Sequence, residues 1–321
     1  MSAKDAEGVT RHLAGLFPDV DEVRITGVAS VGAQRKTLFI DLVRNGETKK
    51  AVAQIAGRAL DVSDTGLEAA LLRAARAGGV AVPRVLAWDE KTGTLVTSHV
   101  EGESIPRRIL RKIEADAGLG PKLTTDCGSA LAAIHRIPTD AFERLPAPAD
   151  PFDYANDLER LLETLTTPHP SFRLGLRWLR RHAIPSVPQE AIVHGDFRLG
   201  NLLVSDDGLS AVLDWELAHR GDPMEDLAWL CLRTWRFGND DRTVGGFGSL
   251  DGLREAYAEA GGEWRDEAFA WWTVARTLWW GLGLARQAQA FVGGEADSIV
   301  LAASGRRVVE LEYDLLRMIG A

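Results

Sequence analysis

The segment IVHGDFRLGNLLV, residues 192–204, places Asp196 two residues after His194 and Asn201 five residues after Asp196, between two apolar strand-like runs. A further apolar run, AVL, leads directly into Asp214 in AVLDWE. Phosphoryl transfer from a nucleotide needs this set of groups: a carboxylate to orient and deprotonate an attacking hydroxyl, and oxygen ligands to fix Mg²⁺ on the phosphates. Asp196 supplies the first, and Asn201 with Asp214 the second. One amide and one carboxylate are enough, because Mg²⁺ takes few protein ligands and completes its shell with water and phosphate oxygens. His194 reads as a packing and hydrogen-bonding residue of the same loop.

The elements that must position these residues differ between the two parts of the chain. VRITGVAS, KTLFIDLVR and KKAVAQIAG, within residues 23–60, read as strands, and Asn45-Gly46 supplies a hairpin turn between the last two. Thr65–Ala77 carries Leu67, Leu71 and Leu72 at helical spacing and stops at Gly78-Gly79. Two short strands follow, VPRVLAWD and GTLVTSHV. From Glu103 the pattern turns helical, is interrupted by the strand-rich interval Ala191–Leu213, and resumes as helices from Met224. The expected fold class is α+β, with a small antiparallel-sheet lobe over residues 1–101 and a larger, mainly helical lobe over 102–321.

Composition narrows the partners. The chain has 321 residues, 45% hydrophobic and 26% charged, with a formal net charge of −9. That balance argues against nucleic acid or an anionic membrane as partner and favours small molecules. Cys127 and Cys231 sit in apolar helical patterns without CxxC spacing, so buried, reduced thiols are expected rather than a disulfide framework or a zinc site. The N-terminal stretch MSAKDAEGVTRHLAGLF carries charges throughout and lacks the apolar run of a signal peptide, so a cytoplasmic protein is expected. Ala268–Ala285 is the most apolar stretch, but Arg276 interrupts it; a buried helix is expected, not a membrane span.

HGDFRLGN resembles the HxDxxxxN catalytic loop of the aminoglycoside phosphotransferase and choline kinase superfamily, and LDWE resembles that superfamily's DFG equivalent. GDPMEDLAWL is similar to its next segment. The resemblance implies a bilobal protein-kinase-like fold, ATP as nucleotide with GTP as the alternative, and Mg²⁺ held by Asn201 and Asp214. It implies that Asp196 is the catalytic base and that Asp226 braces the catalytic loop from a helix start. Within the superfamily, GESIPRR, WRFG and GFGS resemble the kinase-like domains fused to some acyl-CoA dehydrogenases. The likeness covers most of residues 23–292.

By the same resemblance, residues 1–101 form the nucleotide-binding lobe, and 102–321 carry the catalytic loop and the acceptor site. In kinase-like folds a strand cation contacts the phosphates and pairs with a helix glutamate. Glu68 fits that glutamate, but Gln54 stands where the cation is expected. Its amide can donate hydrogen bonds but brings no charge, so Arg35 and Lys36 become the candidate cations. The hinge falls at Thr97–Val100, where backbone groups of Ser98 and Val100 would meet an adenine edge. A competing phosphate loop, beginning at Gly27–Gly32, lacks the Lys that must directly follow its last glycine.

The acceptor is less legible. Seven of the ten tryptophans follow Asp226, as helix packing or as an apolar wall for a ligand. Between Ala268 and Gly294 there are two arginines, Arg276 and Arg286, and no acidic residue. Together with Arg107 or Arg108, they suit an acceptor bearing a carboxylate or phosphate. Glu216 is either a substrate contact or a solvated loop residue. The expected activity is therefore that of a small-molecule kinase, an ATP- and Mg²⁺-dependent phosphotransferase acting on a hydroxyl group. The alternative, motivated by Gln54, is a catalytically impaired kinase-like protein that binds nucleotide or a metabolite.

Overall fold

Asn45 and Gly46 both adopt positive φ, 51° and 79°, the conformation that two-residue hairpin loops favour because it matches the twist of the strands they join. This turn closes β2 (Arg35–Arg44) onto β3 (Glu47–Ala56) in the computed structural model, which describes residues 3–31, 35–56, 65–147, 151–182 and 190–321. A helix α1 (Ala3–Gly15) precedes β1 (Glu22–Val31); α2 (Thr65–Ala77), β4 (Val85–Asp89) and β5 (Thr94–Ser98) follow β3. The five strands form one antiparallel sheet in the order β1-β2-β3-β5-β4. Alternate residues of β2, namely Leu38, Ile40 and Leu42, are buried against Leu13 of α1 with Ala51, Ala53 and Val96, as a strand with one core-facing side requires. The α1 helix was not anticipated from its charged sequence; Val9 and Leu13, four apart on one face, with Leu16 just past its end, pack it on the sheet. Gly27 lies inside β1, opposite Phe39, so the competing phosphate loop would begin within a strand. Its second glycine, Gly32, lies outside the described residues.

The remaining chain is mostly helical: α3 (Pro106–Ala115), α4 (Leu119–His135), α5 (Pro151–Glu163) and α6 (Pro170–Arg181). Four short strands come next, β6 (Ala191–Val193), β7 (Leu202–Ser205), β8 (Gly208–Val212) and β9 (His219–Gly221). The last helices are α7 (Met224–Cys231), α8 (Leu250–Glu259), α9 (Asp266–Val292), α10 (Ile299–Ser304) and α11 (Val308–Ile319). Gly128 lets α4 approach α8: a Cβ there would stand 2.8 Å from the Ala256 Cβ and 2.9 Å from the Tyr257 nitrogen. The apolar stretch around Arg276 is the 27-residue α9, whose Trp271, Ala275, Leu278 and Leu282 are buried. Among the described residues no helix is long and apolar enough to cross a membrane.

The chain divides into two compact units, Met1–Glu103 with Asn201–Leu217, and Ser104–Gly200 with Ala218–Ala321. The inclusion of 201–217 in the first unit differs from a simple break after residue 101. Its cause is backbone pairing: Glu103 and Val204 exchange hydrogen bonds at 2.9 and 3.0 Å, and the Val212 N–H donates to the Ala81 carbonyl at 2.8 Å.

Candidate active site

In the first unit, β7 and β8 form an antiparallel ladder in which Leu202 faces Val212. Asn201 therefore sits just outside one end of the ladder, and Asp214 emerges from the neighbouring strand at the same end. The Leu213 N–H donates to the Asn201 carbonyl at 2.8 Å and ties these segments together. Asn201 is buried, whereas Asp214 is exposed and holds a left-handed φ of 65°. For a residue other than glycine that conformation costs on the order of 1 kcal/mol, and such strain concentrates where a side chain must be aimed. An amide oxygen and a carboxylate, both hard oxygen donors, fit Mg²⁺. Among the described residues no group of three or more His, Cys, Asp or Glu is placed to hold a metal. A metal held by this pair would draw the rest of its shell from water and phosphate.

The other predicted residues of this unit occupy regular elements. Gln54 lies in β3 with Thr37 and Leu95 as its cross-strand partners, and Glu68 is buried in α2 rather than displayed as a surface charge. Lys36 is the second residue of β2. Arg35 begins that strand, and its side chain lies outside the described part of the molecule. Ser98 ends β5, where its N–H donates to the Arg84 carbonyl at 2.8 Å and its hydroxyl accepts from the Arg84 N–H at 2.9 Å. Val100 follows in the irregular segment leading to Glu103. Glu216 is exposed.

In the second unit, the loop from His194 to Gly200 is held by a buried carboxylate. Asp226, in the first turn of α7, accepts the His194 N–H at 2.7 Å and the Gly195 N–H at 2.9 Å. His135, at the end of α4, adds its Nε2 to Asp226 at 3.3 Å, and its Nδ1 lies 2.9 Å from the Tyr257 hydroxyl. Burial pushes the Asp226 carboxyl up, but His135 and the nearby His194 outweigh it and hold the group below its ordinary range. His194 is wholly buried, and its Nδ1 accepts the Asp196 N–H at 3.2 Å. It is scaffolding for the turn.

The sign of the Asp226 shift sets a pH dependence. A carboxylate with a depressed folded pKa contributes stability above its unfolded value, about 3.9, and loses it as pH falls through the lower folded value. Asp226→Asn, which sets an amide N–H against a backbone N–H, costs about 2 kcal/mol near neutrality. In urea titrations the gap between wild type and variant narrows as pH falls below about 4.

Asp196 itself is ordered by two donors that sequence reasoning missed. The Arg198 Nε and the Trp229 Nε1 each donate to its Oδ1 at 2.9 Å. The overlooked signal was the spacing of Asp226 and Trp229, three apart on α7 and so on one helix face. Arg276, at the middle of α9, corrects another expectation. It is buried, not open to an acceptor: its Nη1 donates to Glu225 Oε1 at 2.7 Å and its Nη2 to the Gly195 carbonyl at 2.6 Å. The guanidinium also stacks 4.4 Å from the Trp229 ring and 4.2 Å from the Trp279 ring. Arg286 pairs with Glu295 at 3.2 Å on the surface. The absence of acids between Ala268 and Gly294 misled because the partners of these arginines come from α7 and from beyond Gly294.

A cavity of about 670 Å³ in this unit is lined in part by Arg107, Arg233, Thr234, Phe237 and Arg307. Phe237 is 41% exposed and takes a positive φ of 53°. Arg233 is engaged by Asp240 and Asp314, whereas Arg107 pairs with no carboxylate among the described residues. Both cysteines are free and buried, and burial pushes the Cys231 thiol up to about 12.

An antiparallel sheet with helices, followed by a helical unit whose HGD loop is braced by Asp226, defines a kinase-like α+β fold. The chain belongs to the phosphotransferase enzyme family APH, whose family model matches residues 32–270. Mouse (Mus musculus) acyl-CoA dehydrogenase family member 10 is 31% identical over 177 residues, which take in 50% of this chain and 16% of that protein. A putative aminoglycoside phosphotransferase from Ralstonia eutropha superposes with a TM-score of 0.72 at 18% identity, covering 99% of this chain and 98% of the other. A thermostable mutant of aminoglycoside phosphotransferase APH(4)-Ia, in ternary complex with AMP-PNP and hygromycin B, gives 0.61 at 15% identity, covering 95% and 98%. At these identities the two solved structures speak for the fold. The mouse relative bears out the likeness to kinase-like domains of acyl-CoA dehydrogenases.

Proposed function

We propose that the protein is a cytoplasmic small-molecule kinase that transfers the γ-phosphoryl group of ATP to a hydroxyl, with Asp196 as base. The observation that carries this reading is the built environment of Asp196: a carboxylate with two N–H donors on one oxygen, on a loop whose backbone Asp226 braces. In the proposed step, Asp196 accepts the proton of the acceptor hydroxyl as the acceptor oxygen bonds to the γ-phosphorus. The bond to the β-phosphate oxygen breaks, ADP leaves, and the proton on Asp196 passes to solvent. Asn201 and Asp214 would hold Mg²⁺, which, when bound, neutralises and orients the phosphates.

In the nucleotide lobe, residues 1–101, Ser98 and Val100 would contact adenine through their backbone, Gln54 would donate to a phosphate or to Glu68, which orders the lobe, and Arg35 or Lys36 would be the cation. GTP is the alternative nucleotide. The cavity beside Arg107 and Phe237 suits the acceptor in 102–321, and Arg107 would take an anionic group. AMP-PNP in the APH(4)-Ia complex, an ATP analogue, supports the choice of nucleotide.

The test is thermal unfolding with ATP, with and without Mg²⁺. A ligand that binds only the folded state at about 100 times its Kd stabilises by about 2.7 kcal/mol, which raises Tm on the order of 5 °C. The expected result is a shift that depends on Mg²⁺; its absence overturns the reading. A second reading, nucleotide binding without turnover, is favoured by the uncharged Gln54. Its signature is the same shift with no phosphate transferred to any member of a hydroxyl-metabolite panel.

A further inference from the structure

We infer that Trp229 is a positioning residue for the base, and that the tryptophan cluster around it serves to orient Asp196 rather than to wall an acceptor. This rests on the reading of Asp196 as base. The torsion that rotates a carboxylate about its last bond is broad and nearly two-fold. An Asp on a loop therefore presents either oxygen to a substrate unless its surroundings choose. Here they choose: the Trp229 indole N–H and the Arg198 Nε both donate to Oδ1 at 2.9 Å. Two donors on one oxygen make Oδ1 the anchored atom and fix the orientation of the carboxylate.

Both donors stand on the same aromatic platform. Trp229 is 1% exposed and meets Trp235, Trp279 and Trp280 edge to face, with ring centroids 5.1, 5.5 and 5.8 Å away. The Arg198 guanidinium lies over the Trp235 ring at 4.8 Å. Arg276 closes the arrangement, stacked on Trp229 at 4.4 Å while its Nη2 holds the Gly195 carbonyl next to Asp196. The side chain of the base and the backbone of its turn are thus referred to one rigid group. Fixing a catalytic group in its reactive orientation is worth orders of magnitude in rate.

Trp229→Phe keeps an aromatic ring in the cluster but removes the N–H together with part of the buried bicycle, so the indole spectrum separates the hydrogen bond from the packing. The expected effect of the variant is a loss of kcat of about 10- to 100-fold, with KM for the nucleotide unchanged and the Mg²⁺-dependent nucleotide shift retained. Turnover is read with the acceptor found on the metabolite panel. A readout independent of turnover is the ¹⁵N–¹H spectrum of the indole groups. Trp229→Phe identifies the Trp229 resonance by its loss, and Asp196→Asn in an otherwise native chain moves that same resonance. A Trp229 resonance indifferent to Asp196→Asn overturns the inference, as does Trp229→Phe turnover equal to wild type. Failure of the kinase reading shows itself differently, as wild type without nucleotide shift or turnover, and the indole spectrum then decides the inference alone.

Discussion

Asp196→Asn lowers phosphate transfer by about 10³-fold and leaves Mg²⁺-dependent nucleotide binding in place. The asparagine amide oxygen can still accept from Trp229 and Arg198, so the loop keeps its geometry, while the capacity to take a proton is lost. General-base removal of this kind typically costs 10²- to 10⁴-fold. The measurement is the initial rate of phosphate incorporation into the acceptor, with the ATP-induced rise in Tm as control. A variant that transfers phosphate within about threefold of wild type excludes Asp196 as base. Asp214→Asn separates the two roles: it weakens the Mg²⁺-dependent part of the nucleotide shift, which Asp196→Asn does not.

The second large effect is on stability. Arg276→Met destabilises the protein by about 4 kcal/mol, because removing one member of a buried ion pair strands the other. Arg276 and Glu225 side chains are 4% and 1% exposed, and their bond is 2.7 Å long. Without Arg276, Glu225 retains His219, at 3.0 Å, as its side-chain partner among the described residues, and the Gly195 carbonyl loses the Arg276 donor. In a unit of this size the Tm falls on the order of 10 °C. The double variant Arg276→Met/Glu225→Gln recovers part of the loss, since a neutral pair leaves no buried charge. Urea denaturation of the single and double variants measures both quantities. A single variant within about 1 kcal/mol of wild type removes the ion pair from the account of how this loop is held.

The partner of Arg276 lies far from it in the chain. The arginines of α9 have no acid between Ala268 and Gly294, which pointed outward to an anionic ligand. In the folded chain Glu225, 51 residues away, is the partner of Arg276. Charge along one helix reports nothing about what a second helix carries to it. The same limit hid Trp229, 33 residues from Asp196, while the hairpin at Asn45-Gly46 was legible because two adjacent residues decide it.

Local sequence sets which residue types the loop carries and how closely they are spaced. His194, Asp196 and Asn201 fall within eight residues, and a strand with a tight turn brings Asp214 to the same end of the β7–β8 ladder as Asn201. Strand alternation, helix stripes and turn residues are properties of neighbours in the chain, so spacing alone carries them. Tertiary structure decided what holds each side chain in place. It allotted 201–217 to the sheet unit through pairing with Glu103 and Ala81, buried Arg276 on Trp229, and gave Asp226 two backbone N–H donors. Those outcomes depend on which surfaces pack together across long stretches of chain, where the favourable burial of apolar rings outweighs any preference written locally.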